Sequence, residues 1–258
     1  MGFALIAQLL LLALAPTAVP APPGGSAGPA VAAETDGDHA AERAQMVELI
    51  RIEALMSETE TGIDTIAPAV LAAIAEVPRH AFVPDPLVPY AYLPQPLPVH
   101  PEQNLAAPFL VALMTHLATI GPGDRVFETG TGEGYHAAVL SRLAAEVHSV
   151  EVIPELARAA GERLAALGYD NVKVQEGDGY YGWAEAAPFD AVIVKEAVNH
   201  VPPALLAQLK PGGRMVLPLG PLDGVQELTV LVKEAGGGYR ERHLLPVRFS
   251  PLQGGERT

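Results

Sequence analysis

From residue 126 onward the chain alternates between two textures. Short β-type runs, Val126–Thr129, Val147–Glu151, Val172–Gln175, Ala191–Val194 and Met215–Leu219, are separated by helical stretches. These stretches are Tyr135–Ala145, Pro154–Leu167, an ill-defined piece over Gly182–Ala187, and Pro203–Leu209. Strands that alternate with helices must run parallel, because each crossover carries the chain back to the same edge. The pattern therefore predicts a doubly wound, Rossmann-like α/β sheet with helices on both faces. Two further runs, Glu227–Val232 and Leu244–Phe249, have no helix between them, and Gly236–Gly238 allows only a tight connection. They are expected to pair antiparallel as a hairpin at one edge of a mostly parallel, seven-stranded sheet.

Upstream, the pattern is helical and then irregular. Ala44–Met56 carries Met46, Leu49, Ile50 and Ile52 roughly on one face, and Pro68–Val77 opens with proline in its first turn. Residues 78–108 are rich in proline and aromatic residues and read as ordered but irregular. A third helix, Leu110–Ile120, is stopped by Gly121-Pro122-Gly123. Residues 43–120 thus form an N-terminal helical and proline-rich segment and residues 121–258 the α/β part, with 43–258 expected to be one compact unit. Residues 1–42 differ. Phe3–Ala15 is an apolar run of 13 residues, too short to span a bilayer comfortably but suited to the core of a signal peptide. Residues 16–42 have the composition of a disordered linker. The expectation is an exported or periplasmic protein with no stable membrane span after cleavage. No Lys or Arg precedes Arg43, and the alternative is a cytoplasmic protein with a start assigned too far upstream.

The segment VFETGTGEGY at 126–135 concentrates the chemistry. It reads as strand, glycine turn and helix, and in such sheets ligands bind outside the carboxyl ends of the strands. Glycines at 130, 132 and 134 remove Cβ atoms, so a ligand can approach the main chain, and the helix that follows points free N–H groups at the same place. The spacing is G-x-G-x-G rather than the dinucleotide G-x-G-x-x-G. Glu128 precedes the turn, Glu151 ends the second strand, and Asp178 sits between Gly177 and Gly179 after the third. A carboxylate at Glu151 can accept both hydroxyls of a ribose, and Asp178 can face an adenine amino group. Three acids make a poor phosphate site but suit an adenosyl ligand with a positive charge, and S-adenosylmethionine is such a ligand. A net charge of −14 argues against nucleic acid as a partner. The chain has no cysteine and its eight histidines lack ligand spacing, so no metal site is expected. Tyr180, Tyr181 and Trp183 read as core packing before ligand stacking.

At this point the residues resemble a family. ETGTGEGYHAAVLSRL, VEVIPELARAAGERLAALGYDNVKVQEGDGYYGW, APFDAVIV, LLAQLKPGGRMVLPLG and HLLPVRFSPL are similar to the protein-L-isoaspartate O-methyltransferases, as are VPRHAFVP and LVALMTHL upstream. The likeness covers about residues 68–252. It implies S-adenosylmethionine as cofactor and, as partners, proteins or peptides whose L-isoaspartyl carboxylate receives the methyl group. By matching position, Glu128, Gly130, Thr131, Gly132, Gly134 and Tyr135 would form the cofactor turn. Glu151 would hold the ribose, with Asp178 and Gly179 at the adenine. Pro108, Val247, Arg248 and Phe249 would lie on the substrate side.

The departures bear on the acceptor. The family pattern Gln-Thr-Ile-Ser-x-Pro reads Gln103-Asn104-Leu105-Ala106-Ala107-Pro108 here, so the hydroxyl that helps position the substrate carboxylate is absent at Ala106. Asn104 or Lys195 could donate instead, and these three positions are the candidate catalytic group. After the fourth strand, Thr-Ala-Ala-Ala is replaced by Lys195-Glu196-Ala197-Val198. These two charges also fit an exposed, mutually paired loop duo. Three readings stay open: the isoaspartyl methyltransferase, a methyltransferase of the same fold with another acceptor, and a non-catalytic binding protein.

Overall fold

In the computed structural model, which describes residues 39–100 and 103–254, proline occupies the first position of four helices. There its missing N–H costs nothing. The apolar run Phe3–Ala15 and most of the linker region lie outside the described residues. The linker reading is corrected at its end, because helix α1, Ala40–Met56, already includes residues 40–42. α1 buries Arg43, Met46, Val47, Ile50 and Ala54. That spacing is a stricter helical face than the expected one, and Ile52 falls off it, 49% exposed.

Then follow α2 (Glu58–Thr61), α3 (Pro68–Glu76) and two 3₁₀ turns, Arg79–Phe82 and Asp85–Tyr90. The region read as irregular also contains a small antiparallel pair, β1 (Leu97–His100) and β2 (Gln103–Leu105), with Leu97 opposite Leu105 and Pro98 opposite Asn104. Helix α4 (Pro108–Ala118) ends at Thr119, whose φ of 53° is left-handed, just before the Gly-Pro-Gly stop.

The α/β part runs β3 (Arg125–Thr129), α5 (Tyr135–Ser141), β4 (Glu146–Glu151), α6 (Pro154–Ala166), β5 (Val172–Glu176), β6 (Phe189–Ile193), α7 (Pro203–Gln208), β7 (Leu209–Leu219), β8 (Gln226–Lys233) and β9 (Tyr239–Val247). They form one seven-stranded sheet of order β5-β4-β3-β6-β7-β8-β9. The first five strands are parallel and the last two antiparallel, as the alternation and the glycine connection required. The Gly182–Ala187 helix does not form. A 3₁₀ turn, Gly179–Tyr181, stands just before it, and Gly182 leaves it at φ 69°. β9 starts earlier and ends earlier than the apolar run suggested. Its first residues, YRERH, are charged and exposed, which suits an edge strand.

Period-two alternation distributes the strands between two cores. Val126, Val147, Ala191, Ile193, Val216, Leu228 and Val230 join one, together with α1, α3, α4 and α5. Phe127, Val150, Val192, Val194, Met215, Leu217 and Leu231 join the other. The N-terminal segment therefore shares a core with one face of the sheet. The strand tips of β5, β4, β3 and β6 lie side by side, and that row positions the site.

Candidate active site

The glycine turn is built from backbone shapes that side chains rarely adopt. Gly130, Gly132 and Gly134 have φ of 61°, 54° and 92°. The turn is closed by Gly134 N–H donating to Thr131 O at 2.9 Å. Beneath it, Thr131 Oγ1 lies 2.6 Å from Ser149 Oγ, which donates to Glu128 Oε1 at 2.7 Å. Glu151 ties this turn to the next. Its Oε2 accepts the Gly132 N–H at 2.8 Å and its Oε1 the Ile153 N–H at 3.1 Å. It is 2% exposed.

Glu128 is fully buried, and its Oε2 faces Lys195 Nζ at 3.0 Å. This corrects the exposed-duo reading: the Lys195 side chain is 14% exposed and pairs with Glu128 on the neighbouring strand. Thr129 knits the two strand ends together. Its hydroxyl accepts the Lys195 N–H at 3.1 Å and donates to the Glu196 carboxylate in a short hydrogen bond. That carboxylate lies over Gly130, where any Cβ would collide with it. Glu196 keeps partial access to solvent, yet the protein packed around it pushes its carboxyl up to about 7. The Thr129 hydrogen bond and Lys195 act the other way, and Glu151 and Glu128 reinforce the rise. Behind the turn, His136 is buried beside Thr115 Oγ1 at 2.9 Å. Burial first, and Lys195 second, hold its pKa well below the ordinary imidazole value.

At the next strand tip Asp178 accepts the Tyr180 N–H at 2.9 Å and so caps the 3₁₀ turn. Gly179 packs on Thr129; a Cβ there would stand 2.7 Å from Thr129 Cγ2. The chain end crosses this row of tips. Ala197 N–H donates to Ser250 O at 2.8 Å and Leu252 N–H to Ala197 O at 3.0 Å. Gly254 then lies against the Asp178 carboxylate, with no room for a side chain. Of the aromatics, Tyr180 is 8% exposed and bonded to His200 Nε2 at 2.8 Å. Trp183 stands edge-on to His148, whereas Tyr181 is 52% exposed.

A buried arginine organises the segment expected on the acceptor side. Arg79 is 0% exposed, donates to Ala91 O at 2.8 Å and Ala106 O at 2.7 Å, and lies 4.7 Å over the Tyr135 ring. Tyr135 is 1% exposed, so its ring belongs to the core and only its main chain remains at the turn. Ala106 is partly buried with its carbonyl fixed by Arg79, Pro108 is buried in the first turn of α4, and Asn104 is exposed on β2. Val247 pairs with Gln226 at the end of β9, exposed Arg248 follows, and Phe249 N–H donates to Gln226 Oε1 at 2.9 Å. Among the described residues, no hydrogen bond or ion pair joins Asn104, Val247, Arg248 or Phe249 to the carboxylates.

The structure thus gathers Glu128, Gly130, Thr131, Gly132, Gly134, Glu151, Asp178, Gly179 and Lys195 along four adjacent strand tips. Three residues join them that sequence reasoning passed over as site residues. Thr129 and Glu196 are described above. Gln103, on β2, brings its Oε1 to 3.9 Å from where a Gly132 Cβ would stand. The local signal for Thr129 was its place between Glu128 and Gly130, and that for Gln103 its place at the head of the pattern Gln103–Pro108.

Comparison with known proteins is consistent with this geometry. The family model described as Protein-L-isoaspartate(D-aspartate) O-methyltransferase matches residues 50–257. Protein-L-isoaspartate O-methyltransferase 2 of Syntrophobacter fumaroxidans is 47% identical over 230 residues, 89% of this chain and 93% of that protein. The protein of the same name from a Polaromonas species is 49% identical over 205 residues, 79% of this chain and 97% of its own length. A solved protein-L-isoaspartate O-methyltransferase superposes with a TM-score of 0.71 at 29% identity, covering 82% of this chain and 66% of that one. The strand order, the glycine turn and these matches together place the chain in the protein-L-isoaspartate(D-aspartate) O-methyltransferase family.

Proposed function

We propose that the chain transfers the methyl group of S-adenosylmethionine to the free carboxylate of L-isoaspartyl residues in damaged proteins, a repair reaction. The curated relatives carry that activity in their names, and a Plasmodium falciparum structure of the same fold was solved with S-adenosyl-L-homocysteine. The observation that carries the reading is the glycine turn ringed by Glu128, Glu151, Asp178 and Glu196. The donor set fits the cofactor: clustered carboxylates repel phosphate and favour a cation. The Cβ-free turn leaves its main chain open to close approach.

In this reading Glu151 holds the ribose. Its two oxygens each accept one backbone N–H, and a carboxylate has about four acceptor sites, so capacity remains. Asp178 and Gly179 lie at the adenine. Gly130, Thr131, Gly132, Gly134 and the main chain of Tyr135 line the methionyl end. The cofactor supplies an electrophilic methyl group on a sulfonium. The acceptor carboxylate is already ionised at neutral pH and needs no general base. What the protein must contribute is alignment of that carboxylate, where mispositioning costs on the order of 100-fold in rate. Lys195 is neutralised by Glu128, so its charge does not blunt the nucleophile. Pro108, Asn104, Ala106 and the stretch Val247-Arg248-Phe249 frame the acceptor side.

The test is methyl transfer to an isoaspartyl peptide and to its aspartyl twin. Ester formation on the first alone is expected; equal labelling of both, or of neither, contradicts the proposal. A second reading, a different carboxylate acceptor, is favoured by one observation, the absence of a hydroxyl at Ala106. Ala106→Ser separates the two. On the first reading it raises the rate on the isoaspartyl peptide. On the second the rate stays negligible while turnover appears with another carboxylate. Export is also proposed, from Phe3–Ala15; cell fractionation with N-terminal sequencing of the mature chain decides it.

A further inference from the structure

Glu196 stands at a position where the resembled family pattern carries an uncharged residue. We propose that Glu196 is the counter-ion for the positive charge on the methionyl end of S-adenosylmethionine. The inference rests on the glycine turn being the cofactor site.

Three features of the turn lead to it. First, the carboxylate is placed by the sheet itself. β6 lies beside β3 with Glu128 opposite Ile193, so the residues just past β6 arrive over Gly130. Second, the carboxylate is oriented. The Thr129 hydroxyl donates to Oε2, while Oε1 is the atom turned toward Gly130 and takes no hydrogen bond among the described residues. Third, its neighbours are already engaged. Lys195 faces Glu128, and Glu151 spends an oxygen on each of two backbone N–H groups. Glu196 is therefore the carboxylate over Gly130 that keeps a whole oxygen, Oε1, free of hydrogen bonds among the described residues and turned toward the turn. The charged groups around it are Glu128, Glu151 and Lys195, two negative and one positive, so a ligand cation relieves a local excess of negative charge. Burial first, with those two carboxylates, raises the Glu196 carboxyl to about 7. A bound cation favours the ionised form and releases the carboxyl proton.

The cofactor offers two cations at this end, a sulfonium and an α-ammonium, and ligand analogues separate them. S-Adenosylmethionine carries both, S-adenosylhomocysteine only the ammonium, and 5′-methylthioadenosine neither. Calorimetric titration of the full chain and of Glu196→Gln with all three compounds is the experiment. Gln is nearly isosteric and keeps an acceptor for Thr129, and the melting temperature of the variant checks that the turn survives. Glu196→Gln is expected to weaken S-adenosylmethionine binding about 10-fold or more and to leave 5′-methylthioadenosine unchanged. Parallel loss with S-adenosylhomocysteine identifies the ammonium as the partner; its retention identifies the sulfonium. Wild-type affinity for S-adenosylmethionine should also climb with pH up to about 7 and then level, while the variant's stays flat. Unchanged or tighter binding of S-adenosylmethionine by the variant overturns the proposal, as does equal loss of all three ligands. If the wild type binds none of the three, the cofactor reading falls with it; if the wild type binds and the variant binds equally well, only this inference falls.

Discussion

Replacing Glu151 by Gln separates the carboxylate's structural work from its ligand work. In the wild type the two oxygens accept Gly132 N–H at 2.8 Å and Ile153 N–H at 3.1 Å, in a setting only 2% exposed. An amide has one acceptor oxygen, so one of these donors must face an NH₂ group. An unsatisfied buried donor costs about 1–3 kcal/mol. For a chain of this size that lowers the melting temperature by roughly 2–12 °C, at about 2–4 °C per kcal/mol. If Glu151 also carries the ribose, the variant loses a charge-assisted hydrogen bond of about 1.5–3 kcal/mol, and the dissociation constant rises roughly 10- to 100-fold. Thermal melting reads the first effect. Calorimetric titration with S-adenosylhomocysteine, which cannot react, reads the second. Glu151→Asp keeps the charge but shortens the reach, and should fall between wild type and Gln in both. A fall in melting temperature with unchanged affinity would refute the ribose assignment and leave Glu151 as a backbone staple alone.

Other substitutions and one titration follow from the same geometry. Gly134→Ala forces a Cβ to φ 92° and to within 3.2 Å of Leu164, and should cost about 1–3 kcal/mol by chemical denaturation. Gly168→Ala, at φ 77° but in open space, should cost less, which separates crowding from backbone strain. Lys195→Met strands fully buried Glu128 and should destabilise by about 3–5 kcal/mol, with most of it regained when Glu128→Gln is added; failure of the double variant to recover would deny the pairing. Arg79→Met removes both donors from the Ala91 and Ala106 carbonyls and should cost about 2–4 kcal/mol in denaturant melts. Glu196 has an ordinary value of 4.5 when unfolded and about 7 when folded, so the folded state holds the proton more tightly. Its contribution is complete below about pH 4.5 and is lost as pH rises through 7, a fall of about 1–3 kcal/mol that Glu196→Gln should abolish.

The strands and the glycine turn were legible because they rest on local periodicity. Period-two runs separated by helical spacing define β3 to β7, and G-x-G-x-G after Glu128 marks the turn without tertiary information. Glu151 and Asp178 were readable because each stands at or just past the end of a strand. The pairing of charges was not. Glu128 and Lys195 are far apart in sequence and meet only because β3 and β6 are neighbours in the sheet. An exposed pair was one of two readings of Lys195 and Glu196, and tertiary burial overrides it. The β1–β2 pair was hidden because it is short and carries Pro98 within β1, which removes one donor and masks the strand pattern. The direction of the Tyr135 side chain was not legible, because the first residue of a helix after a glycine turn can face either the turn or the core. Here Arg79, well upstream of it in sequence, draws the ring inward.

The central claim is that the row of carboxylates along the β5, β4, β3 and β6 tips holds S-adenosylmethionine. A crystal structure grown with S-adenosylhomocysteine tests it most directly. The expected density places the adenine beside Asp178, the ribose on Glu151 and the amino-acid end over Gly130 at Glu196. A fully occupied ligand bound elsewhere on the chain, with this row of carboxylates left untouched, would contradict it.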